Sequence, residues 1–314
     1  MAVVVLLGDI NIDLVLDIPA YPAEGGEAIA TRQMAVIGGS ATNTAITLAR
    51  AGHEARMIGR VGNDAWGRQA MSDLSATGIV THWIGTDASE PTQINVVTVG
   101  ITGERTMFAY RGANARLAPG AVIEDAFDGA SLFHLSGYAL LQAPQSEAAR
   151  KAIDLAVARN IPVSLDIPGG VVSTIAADVL ALLPKLDTVM LDSADLPRLL
   201  DRPADSVLGP MIEALLSGGV RRIALKGHGS LSLLCQRGGT DRAPWFAVEV
   251  TDTTGAGDAF AAGHIHGRLT GLSGRECCRL ANAFGAMAVT RKGAGLAMPS
   301  LQDALALMDA QSPR

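Results

Sequence analysis

Cysteine is scarce: three in 314 residues, two of them adjacent at Cys277-Cys278. They make neither the spaced, even set of a disulfide framework nor a zinc-ligand pattern, and they fit a reducing cytoplasm. Positive charge is also short, with 25 Lys and Arg against 31 Asp and Glu and a formal net charge of −6. A nucleic-acid surface needs a basic stripe, and none is found. No apolar run is long enough to span a membrane. Met1 to Leu7 is short, lacks a basic leader, and passes into Gly8-Asp9 as a buried strand does, so no membrane or secretion signal is expected. The Gly-Lys-Ser/Thr of a Walker loop is missing, and Phe260 stands where a dinucleotide-binding turn needs its third glycine. His264 and His266, two apart in a helical pattern, cannot share a face, which excludes a metal pair.

Hydrophobic residues, by contrast, make up 48% of the chain, enough to bury one large α/β core with a small appendage. Short apolar runs at 3–7, 57–61, 131–135, 162–166, 188–191 and 222–226 read as buried strands. Helical periodicity falls between them at 40–50, 66–76, 146–159, 174–183 and 211–217. Strands separated by helices imply parallel pairing and a three-layer α/β/α fold with a mostly parallel sheet. Residues 12–37 and 91–112 break this rhythm, being strand-rich without helical periodicity. Runs 93–99 and 105–110 flank a turn at Thr102-Gly103-Glu104, a hairpin signal. The two insertions are expected to form a small β lid over a core of residues 1–11, 38–90 and 113–314. Ser273 and Ser300, each followed three residues later by an acid, mark two further helix starts.

The most informative stretch is Asp252-Thr253-Thr254-Gly255-Ala256-Gly257-Asp258. Residues 245–250 alternate like a strand before it, and 258–269 read as a helix after it. Gly255 and Gly257 allow successive N–H groups to converge, and a helix N-terminus favours a phosphate at that point. A carboxylate at Asp258 then lies beside the anion, where a hydroxyl would lose its proton during phosphoryl transfer. Glycine turns before helices also serve packing alone. Nearer the N-terminus, Asn11 and Asp13 fall on one face of a strand and suit vicinal hydroxyls. Gly38 and Gly39 precede a helix whose first turn carries Asn43, with Ser40 and Thr42 as competing caps.

These segments, together with 59–67 and the run from Ala281-Asn282 to Ala294, resemble the ribokinase-like (PfkB) carbohydrate kinases over essentially the whole length. The resemblance implies ATP as phosphoryl donor, Asp258 as base, and the backbone of Gly255, Ala256 and Gly257 as an anion hole. It places the sugar on Asn11, Asp13, Gly38, Gly39 and Asn43. It places the nucleotide near Asp192, Lys226, Gly227 and Asn282, and Mg2+ under the influence of Asp192 and Asp195, which stand where relatives carry Asn and Glu. It implies K+ bound mainly by backbone oxygens near Asp252, Thr254, Ala288, Arg291 and Gly293, although Ala297 replaces a serine of ribokinase itself.

Two further departures bear on the substrate. Ribokinase has Lys where Ser40 stands, and many relatives carry Asp-x-Asn-x-Arg where this chain reads Asp166-Ile167-Pro168-Gly169-Gly170. Loss of that Arg argues against acidic or phosphorylated sugars. The expectation is therefore an ATP-dependent kinase acting on a primary hydroxyl of a neutral sugar, with a nucleoside kinase and a catalytically weak sugar or nucleotide sensor as alternatives. Pairing of two lids would give a homodimer.

Overall fold

A computed structural model describes residues 1–102 and 104–311; Gly103, the middle of the expected hairpin turn, lies outside the described residues. The strands are β1 (Val3–Leu7), β2 (Asn11–Asp17), β3 (Arg32–Gly38), β4 (Glu54–Gly62), β5 (Ile84–Asp87), β6 (Gln93–Val99), β7 (Arg105–Tyr110), β8 (Ala130–Ser136), β9 (Val163–Asp166), β10 (Thr188–Asp192), β11 (Arg222–His228), β12 (Leu231–Gln236) and β13 (Gly239–Pro244). The helices are α1 (Ser40–Arg50), α2 (Ala65–Ala76), α3 (Gly112–Ala115), α4 (Gln145–Ala158), α5 (Val172–Leu182), α6 (Leu196–Leu199), α7 (Leu208–Ser217), α8 (Ala256–Leu269), α9 (Gly274–Val289) and α10 (Leu301–Ala310).

Among the described residues the large sheet runs β13-β12-β11-β10-β9-β8-β1-β4-β5. It is parallel from β11 to β5, and β12 and β13 add an antiparallel edge. Two apolar clusters cover its faces, one around Phe133, Leu165 and Leu191, the other around Leu6, Ile46 and Phe284. Strands with both faces buried read as continuous apolar runs, which is why this part of the fold is visible in the sequence. Chain order reverses at β1, which lies between β4 and β8. In a doubly wound sheet such a switch point opens a crevice at the strands' C-terminal ends.

After β1 the chain leaves this sheet at Gly8 to Ile10 and enters a separate four-stranded one, ordered β3-β2-β6-β7. The two strand-rich insertions build it. Its central pair, β2 and β6, is parallel and sets Asn11 opposite Gln93 and Asp13 opposite Asn95. The expected strand at 245–250 is not there. The true edge strand, β13, comes just before it, and 245–250 carries no regular structure. Its apolar residues, Trp245 to Val248 and Val250, line the large cavity instead.

The helix behind the glycine motif begins at Ala256, two residues earlier than expected. It packs on α9 with almost no intervening side chain. A Cβ on Gly263 would come within 2.8 Å of Phe284, and one on Gly267 within 2.9 Å of the Cys277 sulfur. Both expected caps exist, Ser273 and Ser300 each completing a reciprocal capping box. All three cysteines are free and buried. Burial pushes the Cys277 and Cys278 thiols up to about 11 and about 12, leaving them unreactive at neutral pH. His266 does not join His264; its Nδ1 lies 2.9 Å from Nε2 of His53 on the start of β4's approach.

Candidate active site

One cleft of about 1660 Å³ runs between the large sheet and the four-stranded sheet. A single small-ligand pocket is typically ~300–1,000 Å³, so this cleft has room for two molecules side by side. Its walls include Asp258 and the 252–257 loop, Asn11 and Asp13, Lys226 and Asp192. Residues as far apart in the chain as Asp9 and Ala294 thus face one space.

At its centre is the N-terminus of α8. Gly255, the N-cap, has φ +78°, a left-handed conformation that favours glycine. A Cβ there would meet the Met298 sulfur at 2.8 Å. Helix geometry leaves the N–H groups of Ala256, Gly257 and Asp258 without intrahelical acceptors, although Ala256 makes a long 3.4 Å bond to the Thr253 carbonyl. These donors and the helix dipole favour negative charge at this point, where the sequence leads one to expect an anion.

The Asp258 carboxylate is held at both oxygens: Ser40 Oγ donates to Oδ1 and Asn43 Nδ2 to Oδ2, each at 2.7 Å. Burial among protein groups pushes its pKa up from 3.8 to about 6, against the lowering pull of Asn43. Ser40 is therefore no helix cap; α1 has no side-chain cap bond, and the serine's hydroxyl fixes the carboxylate instead. Thr42 likewise donates to the Asp9 carbonyl. Asn43 works at both ends, its Oδ1 accepting from Gly295 N at 2.9 Å.

The strand pattern brings Asn11 and Asp13 together, Nδ2 to Oδ1 at 2.7 Å. Their side chains lie across Gly38, whose absent Cβ would come within 2.5 Å of Asp13 Oδ2. Burial raises the Asp13 pKa, opposed by bonds from Asn95 and Asn11. Gly39 has φ +107°, and a Cβ there would lie 2.1 Å from the Asp9 carbonyl oxygen. Gly39→Ala combines left-handed strain with a backbone clash, at ~1–3 kcal/mol for each. We expect a loss of about 3 kcal/mol, measured as a lowered denaturant midpoint with unchanged m-value; a wild-type midpoint would refute the close approach.

On the opposite wall, Lys226 Nζ pairs with Asp166 Oδ1 at 2.6 Å and is 3.1 Å from where a Cβ on Gly257 would stand. Its charge therefore sits beside the anion site. Asp192 ends β10 with Oδ1 accepting from Ala194 N, and its Oδ2 would lie 2.5 Å from a Cβ on Gly227, which is why that residue is glycine. Asp195 pairs with Arg198 at 2.9 Å, and burial raises its pKa against that pull. Both carboxylates face the cleft. Asn282 also lines it, where a nucleotide contact of its amide is expected; its Nδ2 donates to the carbonyls of Ala243 and Pro244 and ties α9 to β13.

Around the expected potassium position, Asp252 Oδ1 accepts from Thr254 N at 2.8 Å and Oδ2 from Gly293 N at 2.9 Å. Burial works against it, yet the Thr254 and Gly293 bonds hold its carboxyl below the ordinary value. Ala288 O accepts from Arg291 N at 3.2 Å. The Arg291 side chain turns away to Asp303 and the carbonyls of Ala297 and Met298. The outer side of Asp252 is taken by Arg105, whose guanidinium meets Oδ1 at 3.1 Å, Thr253 Oγ1 at 2.5 Å and Thr254 Oγ1.

Several cleft residues escaped the sequence reading. Asn95 Nδ2 donates to Asp13 Oδ1 at 2.9 Å, and Gln93 Nε2 to Asn95 Oδ1 at 3.0 Å. Arg111 pairs with Asp9 at 2.8 Å and meets Gln145, while its Nη1 is buried without a partner among the described residues. A signal was available: the alternation that joins Asn11 to Asp13 includes Asp9, and that of β6 joins Gln93 to Asn95. Tyr138 lines the cleft just past β8, as its strand-end position suggests.

A helix N-terminus holding a fixed carboxylate, with a lysine beside it and a second sheet across the cleft, defines a phosphotransferase acting on an alcohol. The chain belongs to the pfkB family of carbohydrate kinases, whose model matches residues 1–301. It is similar to a ribokinase of Arabidopsis thaliana, 27% identical over 311 residues covering 97% of this chain and 80% of that protein. An ATP-dependent ribose-1-phosphate kinase of Halopiger xanaduensis is 30% identical over 295 residues, 94% of each chain. Among solved structures, a fructokinase with bound ATP from Xylella fastidiosa superposes with a TM-score of 0.84 at 25% identity, covering 99% of both chains.

Proposed function

We propose that this kinase transfers the γ-phosphoryl group of ATP to a primary hydroxyl of a neutral sugar. The observation that carries the reading is the Asp258 carboxylate, fixed by Ser40 and Asn43 at the mouth of the α8 N-terminus. Asp258 takes the hydroxyl proton, and the N–H groups of Gly255, Ala256, Gly257 and Asp258 stabilise charge on the transferring group. A carboxylate with two donors already bound keeps lone pairs for a third, so the acceptor hydroxyl has a place. Asn11, Asp13 and Asn95 hold the remaining hydroxyls, with Gly39 giving the sugar close access. The neutral class rests on the absence of a cation after Asp166 and on the wealth of uncharged amides. The four-stranded sheet acts as a lid that excludes water, the competing phosphoryl acceptor.

Asp192 and Asp195 present hard oxygen donors to the cleft, which fits magnesium held through water and phosphate; when bound it would neutralise charge on the ATP phosphates. Potassium held mainly by backbone oxygens near Asp252 would share that place with the Arg105 guanidinium, and no step is assigned to it. We further propose a homodimer through the edge of the lid. Strand β7 leaves Met107, Phe108 and Tyr110 more than half exposed on an unpaired edge. Light scattering should return twice the chain mass; a monomer at micromolar concentration would rule this out.

The test is ADP release from ATP and Mg2+, with and without K+, across ribose, fructose, ketodeoxygluconate, other neutral sugars, ribose 1-phosphate and nucleosides. Acceptor-dependent ADP with a neutral sugar supports the reading. Turnover confined to the phosphorylated sugar or to nucleosides overturns the substrate class.

A further inference from the structure

Arg105 is the first residue of β7, in the hairpin of the small sheet, yet its guanidinium reaches three side chains of the loop that leads into the anion site. A second link lies nearby: Lys292 Nζ meets Asp17 Oδ2 at 2.9 Å, joining the end of β2 to the loop after α9. The two core loops are themselves tied by the bond from Gly293 N to Asp252 Oδ2. Both cationic links thus end on one unit, the pair of loops that shapes the N-terminus of α8. Packing reinforces it, since Gly295 sits so close to β3 that a Cβ would lie 2.0 Å from the Ile37 carbonyl oxygen.

We propose that Arg105 is a positioning residue that couples closure of the small sheet to the geometry of the anion hole. Thr253 and Thr254 are the last side chains before Gly255, so their placement sets where the Gly255 to Asp258 N–H groups point. Arg105 is about one-third exposed at its side chain and Asp252 about one-sixth, so the pair is screened and holds the fold only weakly. Its effect falls instead on orientation, where a displacement of an ångström can cost on the order of 100-fold in rate. A guanidinium fits this task better than an ammonium, because its planar fork binds three oxygens at fixed angles. The inference rests on the kinase reading of the same cleft.

The test compares wild type with Arg105→Ala, Arg105→Lys and Lys292→Met. Acceptor phosphorylation by Arg105→Ala should fall roughly 10- to 100-fold in kcat, with the KM for ATP little changed. The share of ATP hydrolysed without acceptor should rise, because an uncoupled lid admits water. Arg105→Lys should recover only part of the loss, and Lys292→Met should fall between it and wild type. Hydrogen exchange provides the activity-independent readout: with acceptor and a non-hydrolysable ATP analogue bound, amides of 252–258 should exchange faster in Arg105→Ala, while β9 and β10 stay protected. Unchanged coupling and unchanged exchange at 252–258 would overturn the role. If wild type itself phosphorylates no acceptor, the kinase reading fails, and exchange measured with the ATP analogue alone still decides whether Arg105 orders the loop.

Discussion

Asp258→Asn is expected to lose on the order of 10²–10⁴-fold in kcat, the usual contribution of a positioned base, while ATP binding is retained. Asparagine fits the same space. It can accept from one of the two present donors, and the Ser40 hydroxyl can rotate to accept from its amide. The pH profile supplies the sharper evidence. With the carboxyl raised to about 6, the base is ionised above that value and protonated below it. Wild-type kcat/KM should therefore fall about tenfold per unit as pH drops below 6, a limb that Asp258→Asn lacks. Stability should move the other way. A carboxyl whose folded pKa lies above its unfolded value costs stability at neutral pH, and that cost fades only as pH falls through 6 toward 3.8. Removing the charge should then stabilise by on the order of 1–2 kcal/mol, discounted because the carboxylate faces an open cleft. An inactive variant that melts earlier than wild type at pH 8 would contradict this account of the site.

Lys226→Met should produce the second large effect, and it separates two roles. Asp166 is 5% exposed at its side chain and Lys226 18%, so loss of the ammonium leaves a buried carboxylate unpaired. Breaking such a pair costs ~3–5 kcal/mol. The same change removes the positive charge nearest the Gly257 end of the anion site, and turnover should fall about 100-fold. Adding Asp166→Asn should restore most of the stability, since no buried charge remains, but little of the turnover. Chemical denaturation and steady-state kinetics on the two single variants and the double variant measure both. Full recovery of activity in the double variant would show that Lys226 only balances Asp166.

The parts of this molecule that could be read in advance are those where local pattern and tertiary role coincide. Strands β1, β8 and β10 are buried on both faces, and α1 starts and ends where its periodicity does. The Asp252 to Asp258 segment announces itself because left-handed glycine, orphan N–H groups and a carboxylate are needed within seven residues. What stayed hidden depends on partners distant in the chain. Nothing local tells that Ser40 serves Asp258, 218 residues away, or that Arg105 reaches Thr253. Strand β13 was missed because Gly239-Thr240-Asp241-Arg242-Ala243-Pro244 buries one apolar side chain, Ala243, and carries no alternation. The neighbouring segment 245–250 is largely apolar because it lines the cleft. For Asn282 a place on the cleft wall is legible, whereas the backbone carbonyls that its Nδ2 meets are 38 and 39 residues away.

The division of labour between the two sheets bears on how such an enzyme changes its diet. Asn11, Asp13, Gln93 and Asn95 all lie on strands of the four-stranded sheet, whereas Lys226 lies on the large sheet and Asp258 on α8, which covers one face of it. On the proposed function, acceptor choice and phosphoryl chemistry would be written on separate pieces, joined by four chain passages, β1 to β2, β3 to α1, β5 to β6 and β7 to α3, and by a few ionic contacts. Evolution, or an engineer, can redraw the face of β2 and β6 for a new alcohol while the reacting groups keep their places. The constraint on such a redesign is the register that holds Asp13 beside Asn95, because a one-residue slip of β6 would turn its recognition face away from the cleft.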